Sequence, residues 1–191
     1  MIGSKYLATI NKDSTKEYKT WIQMLRRCFS EKEKNRKPTY KDISCCNEWL
    51  LYENFYEWLH SQPNFDKWYN GNRWAIDKDI LIKGNKIYSP NTCCLVPHNV
   101  NALFLKHDAA RGGLPLGLTK HGKNIQVWCN NPFNGKCEPL GTYSTIEEAF
   151  KVYKLHKEDI IRQVAEIEYM NNNITKQCYN AMLNYKVEIT D

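Results

Sequence analysis

Between residues 18 and 29 the apolar side chains fall at Tyr18, Trp21, Ile22, Leu25 and Cys28, with Met24 and Phe29 beside them. A return every three or four residues marks one face of a helix. Residues 30–38 are charged and end in Pro38, which predicts that the helix stops before them. An irregular piece from Tyr40 to Cys46 follows. Asn47 can then cap a second helix starting at Glu48, with Trp49, Leu50, Tyr52, Phe55, Tyr56, Trp58 and Leu59 as a broad apolar set. At that spacing the aromatics read as core rather than as platforms for stacked bases. Pro63 and Asn64 end the helix, and residues 65–73, with their Asn70-Gly71-Asn72 turn, read as a polar loop.

From Trp74 an apolar strand runs into Asp77-Lys78-Asp79. A polar loop with Gly84, Asn85, Pro90 and Asn91 leads to a second apolar piece, Cys93 to Val96. Pro97 suits the first position of a helix continuing to Lys106. Residues 107–115 read as a linker, so a boundary is expected there, with domains at 1–110 and 111–191. The second half alternates at period two over Leu116–Thr119, Ile125–Asn130 and Cys137–Tyr143, an antiparallel meander. Ser144-Thr145-Ile146-Glu147 signals the start of a long helix. Asn171 to Asn173 interrupt it, a short helix spans Ile174–Asn184, and Tyr185–Thr190 reads as a terminal strand. The pattern is α+β. N-terminal helices pack on a ββα module, followed by a three-stranded antiparallel sheet with one long helix and a short C-terminal extension.

Composition narrows the class. With 42% hydrophobic and 13% aromatic residues the 191-residue chain folds rather than remaining disordered. No stretch approaches the roughly 18 apolar residues of a membrane span, and no apolar signal core opens the chain, so a soluble cytoplasmic protein is expected. The net charge of +6 is carried entirely by residues 1–44, where eleven Lys/Arg face five Asp/Glu. A basic third beginning with a polar arm (residues 1–17) suits a polyanion, most simply nucleic acid, or a solvated helix surface. Eight cysteines without a secretion signal read as buried thiols or metal ligands rather than as a disulfide framework.

Three groups of residues, in order, carry a family resemblance. They are Tyr18-x-x-Trp21-x-x-Met24-x-x-Arg27-Cys28 with Tyr40, Cys46-x-x-Trp49 and Phe55-x-x-Trp58; Ile76-Asp77-Lys78-Asp79 with Tyr88-Ser89-Pro90-x-Thr92-Cys93 and Asn101; and Gly117-Leu118-Thr119-Lys120 with Leu140-Gly141-Thr142-Tyr143 and Glu147-Glu148-Ala149-Phe150-x-x-Tyr153. Together they resemble phage and mobile-element proteins of the His-Asn-His homing-endonuclease type that carry an Apetala/ethylene-response-factor-like DNA-binding domain. The resemblance implies a finger site for one metal, usually Mg²⁺, with Asp77 or Asp79 as carboxylate ligand and Asn101 or His98 on the following helix. The position of the general base holds Lys78, a protonated group at neutral pH and a poor base. It also implies double-stranded DNA as partner, read by the outer sheet face through Gln126, Trp128 and Asn130, with Lys120, Lys123 and Lys136 flanking it and Lys19, Arg26 and Arg27 on phosphate. Cys28, Cys46 and Cys93 fall within the resembling motifs and would suit a structural Zn²⁺ or a packed thiol cluster.

Three readings follow. The first is a DNA-binding protein derived from such endonucleases, with its catalytic site degenerate. The second is an active Mg²⁺-dependent nicking enzyme. The third is a nuclease relative reused in a phage-infected bacterium to bind a host protein.

Overall fold

The structure, a computed structural model, describes residues 15–71, 73–105 and 113–191. The expected N-terminal arm falls almost wholly outside the described residues, as does most of the expected linker with its 110/111 boundary. Two compact units divide the chain, Met1–Val96 and Pro97–Asp191. Among the described residues no helix is long and apolar enough to cross a membrane.

In the first unit helix α1 spans Lys16–Phe29, capped by the Thr15 hydroxyl, which accepts from the Tyr18 amide at 3.2 Å. Helix α1 stops before residues 30–38, as expected. A separate helix α2, Glu31–Arg36, starts where the Ser30 hydroxyl accepts from the Glu33 amide. That Ser-x-x-Glu spacing is a capping signal the charge run concealed. A 3₁₀ turn at Pro38–Tyr40 leads to strand β1, Ser44–Cys45. The expected helix from Glu48 splits into a 3₁₀ turn, Asn47–Leu50, and helix α3, Tyr52–His60, with Leu51 extended between them. Residues 65–70, expected as loop, form helix α4, Phe65–Asn70. Phe65, Trp68 and Tyr69 supply the helical spacing, and Trp68 is buried. Lys16 closes the end of α4: its ammonium donates to the carbonyls of Trp68, Tyr69 (3.2 Å) and Gly71 (2.9 Å), groups that a helix C-terminus leaves without partners.

Strand β2, Trp74–Asp77, pairs with β4, Cys94–Pro97. Strand β3, Ile87–Tyr88, pairs in parallel with β1, placing Cys45 beside Tyr88. The core joins Met24, Cys28, Trp49, Phe55, Leu59, Trp68, Tyr88, Cys93 and Leu95. Trp49, Phe55 and Leu59 are fully enclosed, so the aromatic face of the second expected helix is core.

The second unit opens with a short helix α5, His98–Ala102, ending well before Lys106. Buried Glu168 pins it: Asn99 Nδ2 donates to Glu168 Oε1 at 2.6 Å, and Asn173 Nδ2 donates to Oε2 at 2.7 Å. The unit therefore begins at Pro97. Strands β5 (Leu118–His121), β6 (Asn124–Asn131) and β7 (Lys136–Tyr143) form the expected antiparallel meander, in the order β5-β6-β7. Helix α6, Ile146–Met170, is capped by the Thr145 hydroxyl on the Glu148 amide and lies across the sheet. Helix α7 spans Lys176–Leu183. Tyr185–Thr190 is not a strand. It is held on α6 by side chains, with the Val187 amide on Glu158 Oε1 at 2.9 Å and Lys154 Nζ on the Val187 carbonyl at 2.5 Å.

Gly117 sets how closely α6 approaches the sheet. Its φ is +80°, and a Cβ there would stand 2.2 Å from the Tyr153 ring. Gly122 also has positive φ (+60°) but faces open space. Gly117→Ala should therefore cost well over 2 kcal/mol, against roughly 1–2 kcal/mol for Gly122→Ala from backbone strain alone. Urea denaturation of both variants checks this, and equal losses would contradict the close packing.

Candidate nucleic-acid interface

The Asp77-Lys78-Asp79 corner is built as a strut. Asp77 Oδ1 accepts from the Asp79 amide at 2.6 Å and the Ile80 amide at 2.8 Å, closing the turn at the end of β2. Burial pushes the Asp77 carboxyl up despite these two amides. Lys78 is buried. Its ammonium donates to Asp79 Oδ1 at 2.5 Å and to the Asn85 carbonyl at 3.2 Å, while Asn85 Nδ2 returns a bond to the Lys78 carbonyl at 2.8 Å. An ammonium has no lone pair to accept a proton. Asp77, Lys78 and Asp79 are thus together, but tied to each other and to their own loop. Asn101 and exposed His98 lie on α5, in the second unit.

Cys45 joins the expected trio, standing within electrostatic reach of Cys28, Cys46 and Cys93. Burial pushes the Cys28 thiol up to about 11 and those of Cys45 and Cys93 up to about 12, so all three are neutral at physiological pH. Among the described residues no group of three or more His, Cys, Asp or Glu side chains could hold a metal ion. Asp77 and Asp79 each have one carboxylate oxygen, Oδ1, engaged within the corner.

Positive charge converges elsewhere in the first unit. Arg26 and Arg27 at the end of α1, Arg36 at the end of α2, Lys37 and Tyr40 line one cavity of about 270 Å³, with Gln23 and Glu33. Arg27 is anchored, its Nη1 donating to the Tyr88 hydroxyl at 3.2 Å. Tyr88 is buried, and its phenol is pushed up to about 12 by that burial. The Arg27 guanidinium and the Lys37 ammonium stand 5.9 and 5.6 Å from the Tyr40 ring centre. The Lys78 ammonium stands 5.9 Å from the Tyr88 ring, which links the cavity to the corner. Arg26 and Arg27 were expected here, whereas exposed Lys19 lies outside the cavity. Arg36, Lys37 and Tyr40 were missed as contributors, although the Ser30-x-x-Glu33 cap announces the helix that carries Arg36.

The sheet keeps the expected alternation. Ile125, Val127 and Cys129 are buried, while Gln126, Trp128 and Asn130 point to the other face. Register places Thr119 and Thr142 beside Gln126, Pro139 beside Trp128, and Cys137 beside Asn130. Lys120 pairs with Ile125 and Lys136 with Asn131, so both stand on the α6 side, at its edges. Lys123 sits in the β5–β6 turn. The outer face itself is accordingly polar rather than basic, with the lysines at its margins.

Comparison with known proteins finds no matching family model, no matching curated protein and no matching solved structure.

The strut role of Asp77 makes a signed prediction. A carboxyl whose pKa is raised by folding opposes folding above that pKa, and the penalty disappears as pH falls through it. Asp77→Asn keeps an oxygen for both amides and removes the half-buried charge, so at neutral pH it should match or exceed the parent in stability. Asp77→Ala should lose about 1–3 kcal/mol by stranding the amides. Urea midpoints decide, and an Asn variant as weak as the Ala variant contradicts this account.

Proposed function

We propose that the protein binds double-stranded DNA through the phosphate backbone without cutting it, and that it derives from finger-type endonucleases. The observation that carries the reading is the convergence of Arg26, Arg27, Arg36 and Lys37 on one cavity, around a guanidinium oriented from beneath by Tyr88. Guanidinium groups bind phosphate oxygens in pairs, and a preformed set loses little entropy on binding. The Asp77 corner supports the non-cutting half. The group at the position of the base is an ammonium bonded to Asp79, and the carboxylate of Asp77 before it holds a turn. The neutral outer face of the sheet, with Gln126, Trp128 and Asn130, suits contacts to base edges and sugars rather than to phosphate.

The test has two arms. In anisotropy titrations DNA affinity should fall steeply with salt, and Arg26→Gln or Arg36→Gln should each lower the slope of log affinity on log salt by about one. Supercoiled plasmid incubated with the protein and Mg²⁺ should stay intact. Salt-independent or absent DNA binding overturns the reading in favour of a protein partner. Nicking that Asp77→Ala abolishes overturns it in favour of an enzyme.

A further inference from the structure

The basic cavity has a shape that backbone tracking alone does not require. Internal phosphates of a duplex form convex ridges, one charge for about every 1.7 Å of axis, and are matched by cations in an extended row. Here four cations surround a single concavity instead, against one carboxylate, Glu33, which Arg36 holds at 2.5 Å. A basic last turn is the ordinary complement of one helix dipole, and it accounts for Arg26 and Arg27 in α1 and for Arg36 in α2 separately. It does not account for two helix ends meeting over the same cleft, with Lys37 and an aromatic wall added. At about 270 Å³ the cavity lies near the lower edge of the roughly 300–1,000 Å³ range of small-ligand sites, room for a phosphate group and part of a nucleotide rather than a whole duplex groove.

We propose that this cleft is a receptor for the terminal phosphomonoester of a nucleic-acid strand, so that the protein engages DNA ends in preference to internal backbone. This rests on the DNA-binding reading above and names the group its cavity takes. A monoester carries about −1.5 to −2 at neutral pH, where a diester carries only one charge, so it makes fuller use of the cations. A single group at the end of a strand can also enter the concavity more deeply than a continuous backbone can. Tyr40 gives the terminal base, which lacks one stacking neighbour, a ring to lie against. Arg27, fixed by the Tyr88 hydroxyl, forms the floor of the site, and exposed Arg26, Arg36 and Lys37 form its rim.

The experiment uses the full chain and one short blunt duplex in four forms: 5′-phosphorylated, 3′-phosphorylated, hydroxyl at both ends, and closed by hairpins so that no end exists. Affinities are read by anisotropy at fixed salt. One of the phosphorylated forms should bind about tenfold more tightly than the hydroxyl form, the gain of one further charge-assisted contact. Which one wins assigns the strand end. The hairpin-closed form should bind no better than the hydroxyl form. The double variant Arg36→Gln/Lys37→Gln, at exposed positions, should erase the preference while its urea midpoint stays unchanged. Equal affinity for all four forms overturns the inference and leaves the DNA reading standing, whereas no binding to any form overturns the DNA reading itself. A preference that survives the double variant, or tighter binding of a phosphotyrosine peptide than of any duplex, also overturns it.

Discussion

The basic cavity of the first unit is set by one hydrogen bond, from the Arg27 guanidinium to the hydroxyl of buried Tyr88. Tyr88 lies on β3, a two-residue strand held by its parallel pairing with β1, so the phenol cannot follow the arginine outward. Its ring takes the Lys78 ammonium nearby, and its neighbours Cys28 and Cys93 complete an apolar floor. A charge at the edge of such a core is costly without a partner and strongly oriented with one. The same bond therefore secures α1 to the β1–β3 layer and aims half-buried Arg27 into the basic cavity.

The corner at Asp77 follows a similar logic with a different result. Its side chains satisfy the loop they belong to: Asp77 the turn, Lys78 the Asn85 carbonyl, Asp79 the Lys78 ammonium. Polar groups so engaged stiffen a scaffold, but they are poorly placed to exchange protons with a substrate. In the second unit, Gly117 lets Tyr153 lie on the sheet and leaves the opposite face open and uncharged. On the proposed DNA-binding reading, phosphate attraction falls to the helices of the first unit and only neutral contacts fall to the sheet.

Much of the fold was legible because periodicity is local. α1, the three strands of the meander and the start of α6 lie within two residues of their expected limits, fixed by Trp21–Leu25–Cys28, by Ile125–Val127–Cys129 and by the Thr145 cap. Elements set by short-range competition were not legible. Pro63 and Gly71 bracket a six-residue α4 that Trp68 stabilises by burial, a tertiary effect that its polar neighbours hid. β1 and β3 are two residues each and exist through each other, with no pattern of their own. Tyr185–Thr190 has alternating apolar residues but finds Glu158 and Lys154 on α6 instead of a strand. The candidate site divides in the same way. Arg26 and Arg27 stood out by charge, whereas Arg36, Lys37 and Tyr40 join them only because α2 turns back from Ser30. Sequence alone cannot register that meeting.

Hydrogen–deuterium exchange with and without duplex DNA tests the assignment most directly. Peptides from residues 16–40, covering α1, α2 and Tyr40, should gain protection on binding, and the gain should fade as salt is raised. Protection confined to residues 118–143, with residues 16–40 unchanged, would place the interface on the sheet and contradict the account.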